Sequence, residues 1–454
     1  MSAAAVGHLS RAGRAAPPIR LAHLGLGNFF RAHQAVYTAA DAGWGYAAFS
    51  GRSAGLAGRL DAQGGCYTLV TRGDGGDRFD VIGSVVRAHA AADHAAWLGY
   101  LRDPQVGAVT LTVTEAAYLR SADGGLDRAA VAEDIAVLRA DHIAPVHSVP
   151  ARLVAGLAAR HAAGAGPIAI VPCDNLPDNG RAARRVVLEL AAEVSAELAE
   201  QLAASTSFVT TMVDRITPRP TDADVQAVLA ATGWRDECPV VTEPFTEWVL
   251  AGEFPAGRPG WDTAGATFTD DVGPFEQRKL WLLNGAHSLL AYAGSIRGHQ
   301  TVAGAIADPA CRGWVEQWWD EAAPYLAQPQ PQVAAYRAAL LERFGNRAIA
   351  HRLEQIAADG SQKLPIRVLP VLARERAAGR VPHGATRILA AWITHLRGLG
   401  APVTDAAAPR VVDAAAGPLP AAVAAVLEYL QPGLAADGDL VAAVLAQAAG
   451  FEPN

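Results

Sequence analysis

Hydrophobic positions in the first part of the chain form short apolar runs separated by longer stretches of helical period. The runs have strand length and are rich in Val, Ile, Leu and Ala, which is typical of buried parallel strands. They cover residues 19–27, 46–50, 66–70, 79–86, 106–115 and 166–175. The helical stretches between them cover 29–41, 90–102, 126–139, 149–163 and 179–204. Strands that alternate with helices predict an α/β domain with a mostly parallel sheet.

The pattern changes near residue 273, after which every periodic segment is helical. These segments are 274–294, 310–325, 332–344, 348–358, 384–398, 418–430 and 438–449. A chain of 454 residues is too long for one ordinary core. We therefore predict an α/β domain over 18–272 and an all-helical domain over 273–454. Residues 1–17 contain Arg but no continuous apolar core, so we expect a flexible leader and not a signal peptide.

Composition and charge exclude several functional classes. The chain is 51% hydrophobic and 18% charged, with a formal net charge of -7, which indicates a globular protein without the basic footprint of a nucleic-acid binder. No uncharged apolar run is long enough to span a bilayer. The four cysteines stand far apart without a CxxC pair, so neither a disulfide framework nor a cysteine zinc site is expected. We expect a cytoplasmic protein that binds neither nucleic acid nor membranes.

Two glycines, Gly25 and Gly27, close the first predicted strand just before a helix. In that context the backbone can approach the pyrophosphate of a dinucleotide, whose charge is favoured at a helix N-terminus. The third glycine of the usual fingerprint is replaced by Phe30, so a plain tight turn is an equal alternative. After the second strand, "SGRSAG" (50–55) lacks the usual carboxylate for the ribose hydroxyls. Arg52 can meet a 2′-phosphate there, or it is a solvated surface residue.

The stretch "KLWLLNGAH" (279–287) is an apolar helical segment that carries Lys279, Asn284 and His287. At 100° per residue these side chains fit within about 140° of an α-helix. Removing a hydride from a carbinol requires a base for the hydroxyl proton and donors for the developing alkoxide. A desolvated lysine can be that base, and no spacing in the chain indicates zinc ligands. The alternatives are a snorkelling lysine, a capping asparagine and a core histidine.

Six stretches, taken together and in this order, resemble the long-chain mannitol dehydrogenase family. That family includes mannitol 2-dehydrogenase, arabinitol dehydrogenases and fructuronate reductase. The stretches are "GLGNFFRAHQAVY" (25–37), "TLTVTEAAY" (110–118), "PCDNLPDNG" (172–180), "MVDRITP" (212–218), "VVTEPFTEWVL" (240–250) and "KLWLLNGAH". The resemblance implies a Rossmann-type dinucleotide-binding domain followed by a helical domain. It also implies a metal-independent oxidoreductase that uses NAD or NADP to interconvert an open-chain sugar alcohol and its ketose.

The resemblance also implies roles for individual residues. Lys279 is the expected general base, Asn284 and Asn175 orient the alkoxide, His287 fixes the substrate, and Lys363 binds a substrate oxygen. The residues expected to bind the cofactor are Gly25, Gly27, Asn28, Phe29, Arg52, Glu115, Val213 and Asp214. Purely structural roles stay open as alternatives. Asn175 can be a turn residue, Glu115 a helix cap, Asp214 and Arg215 a structural ion pair, and Lys363 a surface residue.

Two departures from the family pattern concern specificity. Ala54 and Gly55 replace an acidic pair that selects NAD in some members, so NADP is expected to be tolerated. Gln355 replaces an arginine, and "QIAADGSQKLP" (355–365) is closer to fructuronate reductases, in which Lys363 or Arg367 is expected to meet a carboxylate. We place a polyol and its ketose slightly ahead of a keto-uronate as substrate. A non-catalytic sugar or dinucleotide sensor is the alternative from another class.

Overall fold

The computed structural model describes residues 7–51, 54–73 and 75–452 of the chain. They form two compact units, Met1–Gly273 and Pro274–Asn454, which divide next to the predicted boundary between residues 272 and 273. Each unit has its own buried apolar core. No helix among the described residues has both the length and the apolar character needed to cross a membrane.

Six parallel strands form the main sheet of the N-terminal unit. In their order across the sheet they are Val85–His89, Gly45–Ser50, Ile19–Leu26, Ala108–Leu111, Ile168–Pro172 and Thr206–Phe208. The chain starts in the middle, builds two strands on one side and then three on the other. This is the strand order of the doubly wound Rossmann fold, whose ligands bind where the order reverses. The predicted α/β class with a parallel sheet is confirmed.

Smaller sheets flank the main one. Tyr67–Gly73 pairs with Gly76–Ile82 and Val240–Thr242, and Glu247–Ala251 pairs with Thr210–Asp214 and Thr267–Phe268. The single strand predicted over 79–86 is therefore wrong, because Gly83 and Ser84 separate two strands that belong to different sheets. The strands between 206 and 268, each of five residues or fewer, were not predicted.

The helices of the N-terminal unit are shorter than predicted in two places. The helix expected over 29–41 is interrupted at His33, whose backbone is not helical. The helix expected over 179–204 is divided at Ser195, whose Oγ caps the second half by accepting from the Leu198 N–H at 3.0 Å. The helical segments are Asn28–Ala32, Gln34–Thr38, Ala54–Ala62, His94–Leu101, Glu115–Tyr118 (a 3-10 turn), Ala132–Ala140, Val149–Ala162, Asn179–Val194, Ala196–Ser205 and Asp222–Thr232.

The prediction of a flexible leader over 1–17 is wrong from residue 7 onward, where the segment is ordered. Gly7–His8 pairs with Trp234–Arg235 as a short parallel strand. Arg11 Nε donates to the Gly64 carbonyl oxygen at 2.6 Å, and Leu9 is buried. The pattern of apolar residues does not predict that this N-terminal segment is ordered, because backbone pairing and one guanidinium group hold it in place.

The regular elements among the described residues of the C-terminal unit are helices, as predicted, apart from an isolated β-bridge between Thr301 and Arg352. The helix expected over 274–294 contains two π-helical turns, Lys279–Asn284 and Leu290–Gly294, and the helix expected over 348–358 is reduced to Leu353–Ala357. The other segments are Gly273–Arg278, Gly285–Leu289, Val302–Ile306, Pro309–Ala322, Ala323–Tyr325, Gln330–Gly345, Gly360–Arg367, Leu369–Ala377, His383–Leu396, Ala408–Ala414, Leu419–Leu430, Leu434–Ala436 and Gly438–Ala449.

Candidate active site

The glycine turn follows the first strand at the point where the strand order reverses. Gly25 has a φ of +104°, and a Cβ placed there would lie 2.1 Å from the Thr112 carbonyl oxygen, so only glycine fits. Gly27 precedes the helix Asn28–Ala32, and a Cβ on it would meet only the Gly25 carbonyl oxygen, at 3.5 Å. The space over the turn is therefore open. These features fit the backbone approach that a dinucleotide requires.

Buried polar contacts hold the residues that follow the glycine turn. Arg31 donates from Nη2 to Asn28 Oδ1 at 2.8 Å and from Nε to the Gly27 carbonyl oxygen at 3.2 Å. The Phe29 ring stacks on His33 with 5.0 Å between ring centroids. Asn28 and Phe29 thus have structural contacts of their own, whatever their role toward a cofactor.

Glu115 and Asn175 lie at the same edge of the main sheet as the glycine turn. Leu111 and Pro172 are register partners at the ends of adjacent parallel strands. Glu115 is exposed and begins the short 3-10 turn after the first of these strands, and Asn175 is exposed in the turn after the second. The structure therefore places both where ligand-binding residues of open α/β sheets lie.

A buried pair that the sequence did not reveal joins these two turns. Tyr118 Oη donates to Asp174 Oδ2 at 2.5 Å, and Asp174 Oδ1 accepts from the Leu176 N–H at 3.0 Å. Burial raises the pKa of Asp174, and burial followed by the nearby Asp174 charge raises the pKa of Tyr118 well above its ordinary value. The pair fixes the residue that precedes Asn175.

Val213 and Asp214 end a strand of a smaller sheet, and both are buried. Arg215 donates to the carbonyl oxygens of Ala32 and Glu243. Within the described part of the chain Arg215 hydrogen-bonds to carbonyl oxygens alone, so the ion pair with Asp214 considered above is not formed.

The specificity positions after the second strand are only partly described. Arg52 lies outside the described residues. Ala54 and Gly55 are exposed at the start of the helix Ala54–Ala62. They follow the strand Gly45–Ser50, which is adjacent to the first strand in the sheet.

Lys279 and Asn284 are the first and last residues of a π-helical turn, not of an α-helix as predicted. A π turn contains more residues than an α turn, so positions five apart come closer to one face. Two indole groups stabilise this stretch: Trp318 Nε1 donates to the Trp281 carbonyl oxygen at 2.7 Å, and Trp319 Nε1 donates to that of Leu282 at 2.8 Å. The two buried tryptophans therefore bind backbone carbonyl oxygens of the π turn as well as packing in the core.

Gly285 makes the close approach of these helices possible. A Cβ on it would lie 2.5 Å from Trp318 Nε1. Lys279 and Asn284 are both half-buried, in keeping with polar side chains on an apolar segment. Ser288 Oγ donates to the Asn284 carbonyl oxygen at 3.1 Å.

His287 is buried, and its Nε2 has no hydrogen-bond partner among the described residues. Its ring lies 5.0 Å from that of Phe344 and 5.1 Å from that of His351. Burial, and then the nearby His351, Arg343, Arg367 and Lys363, lower the pKa of His287 well below its ordinary value. The imidazole is therefore neutral near pH 7 and has one nitrogen free to bind a polar group.

Lys363 lies close enough to His287 to affect its pKa. Its Nζ donates to the carbonyl oxygens of Ile356 and Ala358. Burial, followed by the charge of Arg367, lowers the pKa of Lys363. Lys363 is thus a partly buried, hydrogen-bonded amine, so the alternative that it is a plain surface residue is wrong. Gln355, in contrast, is exposed.

One group of possible metal ligands lies elsewhere in the C-terminal unit. His299, Asp308 and Cys311 bring their ligand atoms within 4.8 Å of one another. The sequence had not indicated this group. Arg297 Nε donates to Asp308 Oδ2 at 2.7 Å, the same oxygen that His299 Nε2 contacts at 3.0 Å. A guanidinium group therefore already provides the positive charge at this carboxylate.

Comparisons with known proteins agree with these features. The family model of the mannitol dehydrogenase Rossmann domain matches residues 19–263, and that of the mannitol dehydrogenase C-terminal domain matches residues 271–451. The chain is 36% identical to D-mannonate oxidoreductase of Escherichia coli over 84% of this chain and 80% of the relative. It is 34% identical to mannitol 2-dehydrogenase of Cereibacter sphaeroides over 83% and 81%.

A solved structure extends the likeness to the whole fold. Mannitol 2-dehydrogenase of Pseudomonas fluorescens, in a ternary complex with NAD and D-mannitol, is 32% identical and superimposes with a TM-score of 0.81 over 99% of this chain and 94% of that chain. The predicted resemblance and the predicted enzyme class, a nicotinamide-dependent oxidoreductase, are thereby confirmed. The chain belongs to the mannitol dehydrogenase family.

Proposed function

We propose that this protein oxidises a secondary hydroxyl group of an open-chain sugar derivative to the ketone, and catalyses the reverse reduction, with Lys279 as general base and acid. The observation that carries the proposal is the polar set Lys279, Asn284 and His287 on an otherwise apolar helical segment. The names of the relatives, mannitol 2-dehydrogenase and D-mannonate oxidoreductase, support this substrate class.

The use of lysine in this chain supports a special role for Lys279. Of 38 lysine and arginine residues, only Lys279 and Lys363 are lysines. Arginine serves surface charge and ion pairs as well as lysine does, but its guanidinium group stays protonated and cannot act as a base near neutral pH. A chain that uses arginine almost everywhere keeps a lysine where a titratable amine is required.

The remaining residues have complementary roles in the proposal. In oxidation Lys279 Nζ accepts the hydroxyl proton while the carbinol carbon loses its hydride, and in reduction Nζ returns the proton to the alkoxide. The side-chain amide of Asn284 donates to the developing alkoxide. The same role for Asn175 of the N-terminal unit stays a prediction from the family resemblance. Neutral His287 holds a neighbouring substrate hydroxyl through Nε2, which has no partner among the residues that the structure describes.

The glycine turn supports binding of NAD or NADP by the N-terminal unit. Gly25, Gly27, Asn28 and Phe29 would hold the pyrophosphate end, and Glu115, Val213 and Asp214 would complete the site. When bound, the nicotinamide ring accepts the hydride in oxidation and donates it in reduction.

The first prediction concerns Lys279. Lys279→Ala should leave dinucleotide binding intact and lower kcat for oxidation by at least about 10²-fold, because a positioned base contributes ~10²–10⁴-fold. It should also remove the ionisation of the base from the pH–rate profile. Steady-state rates with NAD and NADP, taken between pH 6 and 10 on D-mannitol and D-mannonate, make the measurement.

Lys363→Ala is the matched control, since it removes the other lysine and should keep the pH dependence of kcat. With only two lysines, ¹³C-dimethylation gives two side-chain NMR signals, which the two variants assign, so the ionisation of each amine can be followed directly. A folded Lys279→Ala enzyme with near-normal kcat and an unchanged pH profile would show that Lys279 is structural. Tight dinucleotide binding without turnover of any open-chain sugar by the unaltered protein would favour a sensor.

A further inference from the structure

A half-buried guanidinium group lies beside His287 and has no carboxylate partner among the described residues. Arg367 is the last residue of the helix Gly360–Arg367. Among the described residues its only hydrogen bond runs from Nη1 to Ser288 Oγ, at 3.2 Å. Its Nε is buried and has no partner within the described ranges. One edge of the guanidinium group, formed by Nε and Nη2, is therefore left to bind something else.

Other nitrogen groups surround the same place. Lys363, Arg343 and Arg367 are all close enough to His287 to lower its pKa, after the larger effect of burial. His351 adds a second imidazole, whose pKa falls to about 4 through burial and then the charge of Arg343. Its Nδ1, like His287 Nε2, has no hydrogen-bond partner in the described part of the chain. Within the described residues the cluster thus has three polar atoms without hydrogen-bond partners: His287 Nε2, His351 Nδ1 and Arg367 Nε.

Two carboxylates act on the neighbouring Lys363 but not on Arg367. Asp359 and Asp405 act on the pKa of Lys363, but the pKa of Arg367 responds only to burial, which lowers it to about 10, and to Tyr292. Both carboxylates are already engaged: Asp405 accepts from the Ser361 N–H at 2.9 Å, and Asp359 accepts from that of Ala406 at 3.1 Å. Partial burial of a cation without a counter-ion among the described residues has a desolvation cost, which a bound anion would offset.

We propose that Arg367 binds a carboxylate group of the substrate, so that the enzyme acts on open-chain sugar acids in preference to neutral polyols. Nε and Nη2 form the planar fork that matches two carboxylate oxygens. Arg343 and Lys363 reinforce the positive field, and the two imidazoles bind hydroxyl groups next to the carboxylate. This inference rests on the proposed function, because it takes His287 as part of the reacting site. It reverses the order of substrates that the sequence alone suggested.

The first test compares two substrates on the unaltered enzyme. D-Mannonate and D-mannitol differ at one end, where the first has a carboxylate and the second a hydroxymethyl group. With NAD or NADP at saturating concentration, kcat/KM should favour D-mannonate by at least about 10-fold, the effect of one charged hydrogen bond. An enzyme that prefers D-mannitol would overturn the assignment.

The second test removes the guanidinium group. Arg367→Gln should raise KM for D-mannonate by about 10-fold to 100-fold, while KM for D-mannitol changes less than about threefold. Arg367→Lys keeps the charge but loses the fork, so it should recover only part of the affinity. Arg410→Gln, which removes an exposed arginine of the same unit, is the control and should change neither KM.

The outcomes separate this inference from the proposed function. Equal losses on both substrates in Arg367→Gln would mean that Arg367 only supports the fold, and would overturn the proposal. If Arg367→Gln does not fold, two measurements still test the proposal: the ratio of kcat/KM for D-mannonate and D-mannitol in the unaltered enzyme, and the KM values of the Arg367→Lys variant. Turnover of D-mannitol without turnover of D-mannonate would leave the proposed function standing and remove this inference. Absence of turnover with either compound, or with fructose and fructuronate, would instead contradict the proposed function.

Discussion

At the scale of single residues, we expect the positions after the second strand to influence the choice between NAD and NADP. Ala54 and Gly55 are exposed and carry no negative charge, so nothing at these positions repels a 2′-phosphate. We predict that NADP(H) is accepted, with a preference for NAD(H) of less than about tenfold, roughly 1.4 kcal/mol. The measurement is kcat/KM for both cofactors with one substrate. A larger preference for NAD(H) would mean that a carboxylate elsewhere in the fold accepts hydrogen bonds from the ribose hydroxyls.

A pair of variants isolates the charge at this position. Ala54→Asp should shift the ratio of kcat/KM toward NAD(H), because a carboxylate binds ribose hydroxyls and repels a phosphate. Ala54→Asn has nearly the same shape without the charge and should leave the ratio almost unchanged. Equal shifts in both variants would argue against an electrostatic cause.

The residues of the candidate site differ in how far the sequence can reveal them. Lys279, Asn284 and His287 stand out because three polar side chains interrupt one apolar segment. Lys363 lies in the recognised stretch 355–365 and Arg367 follows it by two residues; one or the other was expected to meet a carboxylate. His351 and the Tyr118–Asp174 pair gave no signal, since an isolated histidine or tyrosine has many structural uses and only tertiary contacts reveal its neighbours.

At the scale of elements, long buried strands were predictable and interrupted helices were not. The strand Gly45–Ser50 is buried at every position, so its continuous apolar run identifies it. The π turn Lys279–Asn284 has no local signature, because the indole groups that bind its carbonyl oxygens come from Trp318 and Trp319, far along the chain. The sequence pattern of one segment does not show which residues from elsewhere in the chain will contact that segment in the folded protein.

The packing around the π turn predicts opposite effects for two identical substitutions. Gly285→Ala would place a methyl group 2.5 Å from Trp318 Nε1 and should destabilise the protein by about 1–3 kcal/mol through overpacking. Gly313→Ala lies on an exposed helix position with nothing within 4 Å, so it should stabilise by up to about 1 kcal/mol. Urea unfolding of both variants provides the comparison. A neutral or stabilising Gly285→Ala would show that the Trp318 contact is not tight.

At the scale of the whole molecule, buried neutral histidines couple stability to pH. His23 is fully buried, its Nδ1 lies 2.7 Å from Thr110 Oγ1 and its Nε2 lies 3.0 Å from Thr112 Oγ1. Its ring stacks on Phe30 with 3.6 Å between centroids. Burial lowers the pKa of His23 to about 3. In the C-terminal unit burial likewise lowers the pKa values of His287, His351 and His395.

The direction of the pH effect follows from these shifts. An unfolded chain binds a proton at His23 below about pH 6.5, whereas the folded chain excludes it down to about pH 3. The free energy of unfolding should therefore fall as the pH falls through this window, by about 2 kcal/mol for His23 between pH 7 and pH 5. His23→Gln, which cannot titrate, should remove that part of the slope, and His142→Gln, at an exposed position, should leave it unchanged. Urea unfolding of the three proteins at pH 5 and pH 7 measures the difference. The same slope in His23→Gln as in the unaltered protein would mean that His23 is protonated in the fold, against the effect of its burial.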